Sequence, residues 1–267
     1  MALISIAFLS IFILKSSVEP IKTNINSNGI LDLFWSDYKS GSLIKNIFYF
    51  IFCLLSVISF HLFLSRNETL SKTTFFPAFI LGVLLLEFFF IDSLNDGVLA
   101  NLLIITGIQR ISDSYRMETA KGNLFDAGFL FSLSILIYPP AITLLPLIFI
   151  SISILRPFIW REWTIAVIGI ITPPLFIISI IYLVFDFSFL KKISLLEPFN
   201  FHSWKPIFTS QYFLSASILF FIFLIVFRRL RAGAYSRKIR QQKNFNILTF
   251  WVILGASSIF MDAPYVF

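Results

Sequence analysis

Residues 124–185 read LFDAGFLFSLSILIYPPAITLLPLIFISISILRPFIWREWTIAVIGIITPPLFIISIIYLVF. Apolar runs at 125–138, 141–155 and 163–185 fill this stretch, separated only by Pro139-Pro140 and by the tract at 156–162. None of them alternates apolar with polar, as a half-buried strand would, and each is too long for a buried strand. They read as helices that are apolar all round, the pattern of helices solvated by lipid. Working outward, similar runs recur at 2–14, 47–64, 75–91, 97–109, 212–227 and 247–260. Crossing the hydrocarbon takes roughly 20 residues. The runs at 97–109 and 141–155 are therefore short, and cross only if their flanks continue the helix or the bilayer thins. The expected fold is all-α: one integral domain over 1–267, a polytopic transmembrane bundle of 8–9 spans with short interfacial helices.

Composition supports that solvent. Of 267 residues 58% are hydrophobic and 13% charged, with 35 Phe and a mean hydropathy of +0.89. Soluble domains are about a quarter charged. The net charge of +7 belongs with retention by anionic headgroups rather than with nucleic acid, because the basic residues flank apolar runs. The lone Cys53 lies within an apolar run and allows no intrachain disulfide. Residues 2–14 are apolar, but no basic residue precedes them and no small-x-small site follows. They are expected to be a first helix rather than a cleaved leader.

Basic residues set the orientation. The gaps at 65–74, 110–124, 156–162 and 228–246 hold 14 of the 21 Lys and Arg, and the intervening gaps hold 7. The richer set is expected on the cytoplasmic side of a bacterial inner membrane, with the N-terminus inside. The loop at 228–246, with Arg228, Arg229, Arg231, Arg237, Lys238, Arg240 and Lys243, carries most of that decision. The large outward loops are then 15–46 and 186–211. In the first, the cluster Ile30, Leu31, Leu33, Phe34 and Trp35 reads as a short interfacial helix. Pro139-Pro140 should make a tight outer turn, Pro173-Pro174 should kink the run at 163–185, and Asp126 should cap the helix starting at 125. Residues 247–260 cross the membrane, lie in its interface or re-enter.

Chemistry-bearing motifs are sparse. No P-loop, dinucleotide fingerprint, HExxH or GxSxG is present, and His61 and His202 are too few for a histidine-rich metal site. Within the runs, Glu87 is an intramembrane carboxylate and hence a candidate proton carrier. The outer loops hold Glu19, Asp32, Asp37, Asp92, Asp96, Asp186 and Glu197. A carboxylate at the membrane surface can act as a base toward a hydroxyl or hold a divalent cation, while Lys191, Lys192, Lys205 and His202 could hold a phosphate. No metal site is assigned, and the sequence names no cofactor.

Residues 95–185, through the tracts LFDAGF and RPFIWREW and the run bearing TPP, closely resemble a family of uncharacterised Bacteroidota inner-membrane proteins. More distantly, the stretch resembles the central module of GT-C-type glycosyltransferases, with a small-residue helix at Ala127-Gly128, a Pro-bearing outer turn and a short helix. An Arg-bearing inner turn (Arg156, Arg161) and a further Pro-containing span complete that likeness. The second resemblance implies a GT-C-like fold and a glycosyltransferase using a polyprenyl-phosphate-linked sugar on the outer face. It puts the base on Asp37, with Glu19 second, and the donor phosphate on Lys191, Lys192, His202 and Lys205. The chain is short for that class and lacks an adjacent acid pair in the first outer loop. The competing expectation is a non-catalytic membrane subunit or scaffold of an envelope or secretion complex, with membrane lipids and a membrane-protein partner around it.

Overall fold

The computed structural model describes residues 43–67, 75–91, 96–115, 117–184 and 239–262. These residues are mostly helical and contain no strand. The helices are α1 (Leu43–Arg66), α2 (Phe76–Ile91), α3 (Asp96–Asp113), α4 (Lys121–Ile137), α5 (Pro146–Leu155), α6 (Trp160–Val184) and α7 (Ile239–Asp262). A 3₁₀ segment, Pro139–Leu144, separates α4 from α5.

Prolines write two of the stops. Tyr138 ends α4 in an extended conformation (φ −131°, ψ 93°) ahead of Pro139, and Arg156 ends α5 likewise (φ −129°, ψ 151°) ahead of Pro157. A residue before proline is driven out of the helical region by the proline ring. Pro146 instead opens α5, where its missing N–H is no loss. Pro173 and Pro174 do not interrupt α6, which runs through both. The Thr172 hydroxyl donates to the Ile168 carbonyl at 2.7 Å just before the two residues that cannot donate.

The α4–α6 crossing is the tightest contact in the bundle. A Cβ on Gly128 would strike the Ala166 carbonyl oxygen, and one on Gly169 would strike the Phe125 carbonyl oxygen. At this crossing each glycine meets the other helix's backbone, with no side chain between them. Small residues are enriched in this way where membrane helices pack backbone to backbone. On its other side α4 packs against α3, where Gly107 leaves room for the Phe131 ring. α1 lies against α3 and carries α2 at the periphery; α7 packs on α5 and on the 3₁₀ segment. The main core runs through Phe63, Ile108, Leu124, Phe131, Leu147, Ile152 and Ile247. A smaller one, around Tyr49, Cys53, Val57 and Leu85, joins α1 to α2.

Two helical stretches, Ile47–Arg66 and Trp160–Ile180, are long and apolar enough to cross a membrane. Only 33% and 17% of their residues are buried, whereas a soluble core helix of such composition would be mostly buried. Their open faces carry Ile47, Ile51, Leu55, Ile58 and Leu62 on α1, and Ile168, Ile171, Leu175, Ile178 and Leu183 on α6.

Several boundaries depart from the apolar runs. The run at 141–155 divides into the 3₁₀ segment and the ten-residue α5. α5 alone reaches about 15 Å, half a hydrocarbon layer. α4 begins at Lys121, so Asp126 sits in its second turn and is no cap; it faces Arg110 at 3.8 Å with both side chains about half exposed. The run at 247–260 is the later part of one helix that starts at Ile239.

Candidate functional site

Helix direction sorts the bundle into two ends. At one of them the four Lys/Arg-rich gaps meet. Arg156, between α5 and α6, donates from Nη1 to the Ser114 carbonyl just past α3, at 2.7 Å. Lys243, in the first turns of α7, donates to the Leu155 carbonyl at 3.2 Å, and its Nζ lies 5.1 Å from the centre of the Tyr115 ring. Arg240 donates to Asn67 Oδ1 at 3.0 Å, and the Asn67 amide donates to the Phe63 carbonyl at 2.9 Å in the last turn of α1.

A common cause underlies these contacts. α1, α3 and α5 all bring their C-termini here, where the last carbonyls lack helical partners and the helix dipoles present negative charge. Cations placed on those carbonyls satisfy both needs. One carboxylate joins them: Glu162 pairs with Arg156 at 2.8 Å, and the two side chains are 7% and 8% exposed. Its position in the first turn of α6 is the N-terminal one that a negative charge favours. Further polar atoms in the bundle lie buried without hydrogen-bond partners, among them Ser112 Oγ, Ser151 Oγ, Trp163 Nε1 and the Asn244 amide.

The opposite end follows from the same directions. α1 and α6 each reach the junction by one terminus, Arg66 and Trp160. At about 1.5 Å per residue their other termini, Leu43 and Val184, lie some 36 Å away. Leu43 and Val184 thus both lie towards the far end of the bundle, each at the tip of its own helix. The chain before 43 and the chain after 184 attach there.

A family model described as a family of unknown function, DUF6427, matches residues 29–265. The chain belongs to the DUF6427 family. No curated protein and no solved structure matches it.

In this DUF6427 protein the six residues nominated from sequence, Asp37, Glu19, Lys191, Lys192, His202 and Lys205, lie outside the described residues, as does the expected interfacial helix near Trp35. What the structure brings together is the set of basic gaps, through Arg156, Arg240 and Lys243. Glu87 falls near the end of α2. His61, in the last turns of α1, stacks on Phe75 with ring centres 4.0 Å apart. Among the described residues no three His, Cys, Asp or Glu side chains gather as metal ligands would. Sequence reading missed the Arg156–Glu162 pair. The signal was present: Pro157 makes a turn there, and the opposite charges at 156 and 162 stand close together in an otherwise apolar stretch.

Proposed function

We propose that this DUF6427 protein is a multi-pass protein of the bacterial inner membrane that works as a GT-C-like glycosyltransferase on the face away from the basic junction. The observation that supports it most is that Leu43 and Val184 both lie on the side of the bundle away from the junction. Chain bearing Glu19 and Asp37 joins the bundle at the same end as chain bearing Lys191, Lys192, His202 and Lys205. Connectivity also supports several crossings. α6 ends at the far end and α7 begins at the junction, and the sequence between them holds the apolar run 212–227. By charge bias the junction is the cytoplasmic end.

In the reaction, an acceptor hydroxyl attacks the anomeric carbon of a polyprenyl-phosphate-linked sugar. Asp37 takes the hydroxyl proton as the bond to the leaving phosphate breaks, and Glu19 is the second candidate for that role. Lys191, Lys192, His202 and Lys205 stabilise the charge that accumulates on the phosphate. Asp37→Asn is expected to abolish sugar transfer in membranes while leaving the protein's insertion unchanged. Undiminished product would reject Asp37 as base.

A second reading, the non-catalytic subunit or scaffold, is favoured by the junction itself. There Arg156, Arg240 and Lys243 are all engaged by the protein's own carbonyls and side chains, as in a rigid framework. It predicts tolerance of the Asp37 substitution together with stoichiometric co-purification of a membrane partner.

A further inference from the structure

The turn between α5 and α6 presents an apolar tip that the interior of the bundle does not use. Phe158, Ile159 and Trp160 are 74%, 39% and 64% exposed, and Pro157 before them is exposed as well. Three large apolar residues in succession at the end of a chain turn are costly in water, at roughly 25 cal/mol per Å² of exposed apolar surface. The tip is nonetheless held firmly. The Arg156–Glu162 pair closes the turn at its base, Arg156 ties it to Ser114, and Trp163 packs between Phe149 and Phe158, with ring centres 5.6 and 5.1 Å away.

Two neighbours indicate what the tip meets. The open apolar face of α6 begins at Trp160 and continues to Leu183, a length of about 35 Å, enough for the hydrocarbon layer and a portion of its boundary. Next to the tip in sequence Arg161 is exposed, as is Lys121 at the start of α4. Aromatic residues prefer the headgroup boundary, and exposed cations beside it attract anionic lipid.

We infer that the 157–161 turn is a preformed interfacial anchor, seated at the headgroup boundary of an anionic leaflet, with Phe158 and Trp160 in the boundary and Arg161 on lipid phosphate. The Arg156–Glu162 pair acts as its positioning device: a buried ion pair contributes little net stability, yet it fixes where the tip points. This rests on the membrane reading above and adds to it the depth of the bundle and the charge of the leaflet.

The test uses the full chain with Cys53→Ala, labelled with a polarity-sensitive fluorophore at Phe158→Cys or, separately, at Ile168→Cys on the open face of α6. Each is reconstituted in phosphatidylcholine vesicles with and without phosphatidylglycerol. At 158 we expect strong quenching by lipids brominated near the headgroup, weaker quenching by lipids brominated deep in the chain, and protection from iodide that improves with phosphatidylglycerol. Iodide quenching at 158 as strong as for free dye, with 168 quenched by lipid, overturns the anchor and leaves the membrane reading standing. Protection of 158 from iodide and lipid alike means that protein covers the tip, and also overturns it. If neither position is quenched by lipid, the membrane reading itself fails. Arg161→Gln should remove the phosphatidylglycerol dependence; if the dependence survives, Arg161 is not its source. Glu162→Gln, in protein whose helix content is unchanged, should raise iodide access at 158, and unchanged access would reject the positioning role.

Discussion

The two ends of this bundle are built on different physics. At the junction, charged side chains reach across four segments and close on helix C-termini and on Glu162. Towards the far end, α1 and α2 are joined by apolar packing and by one buried hydroxyl, Tyr49 to the Leu85 carbonyl at 2.6 Å. Arg156, Arg240 and Lys243 are therefore structural, engaged by two backbone carbonyls and the Asn67 side chain, whereas Arg161 and Lys121 stay exposed.

That contrast can be broken in graded ways. The largest effect should come from the crossing that both ends depend on. Gly128→Val or Gly169→Val drives a side chain into the partner backbone, and loss of the folded, monodisperse protein in detergent is the expected outcome. Glu162→Gln should loosen the junction alone. Leaving Arg156 buried without its carboxylate costs about 3–5 kcal/mol, read as a large fall in thermal midpoint with most helix retained. Tyr49→Phe acts on the α1–α2 side and removes the hydrogen bond to the Leu85 carbonyl; a loss of about 1 kcal/mol is expected, with the junction unaffected. Asn244→Leu should act in the other direction. Asn244 is fully buried and both amide atoms lack partners, so the substitution is expected to be neutral or to stabilise by about 1 kcal/mol. A clear loss there would show that the amide is engaged.

Much of the fold was legible because lipid-type helices announce themselves by unbroken apolar runs. Each described helix coincides with such a run, and the alternation of basic gaps anticipated which loops meet. Boundaries were less legible. Polar residues such as Lys121, Gly122 and Asn123 extend α4 by a turn that no apolar run marks, which turned Asp126 from a cap into an interior residue. Pro139-Pro140 does not simply reverse the chain but winds it into a 3₁₀ segment, a local choice hydropathy does not encode. Gly128 was visible as a small residue, yet its partner Gly169 was not, because reciprocal contact between helices leaves no mark on either run alone. The nominated site residues stand outside the described residues, in chain that joins the bundle at Leu43 and Val184.

The central claim is that the chain on either side of Trp35 and of His202 shares a compartment opposite the basic junction. Single cysteines at Trp35→Cys, His202→Cys and Arg161→Cys, each in a Cys53→Ala background, can be challenged with a membrane-impermeant maleimide in intact, outer-membrane-permeabilised cells. The account predicts labelling at 35 and 202, and at 161 only after the inner membrane is opened. Labelling of 35 and 202 from opposite faces, or of 161 together with them, would contradict it.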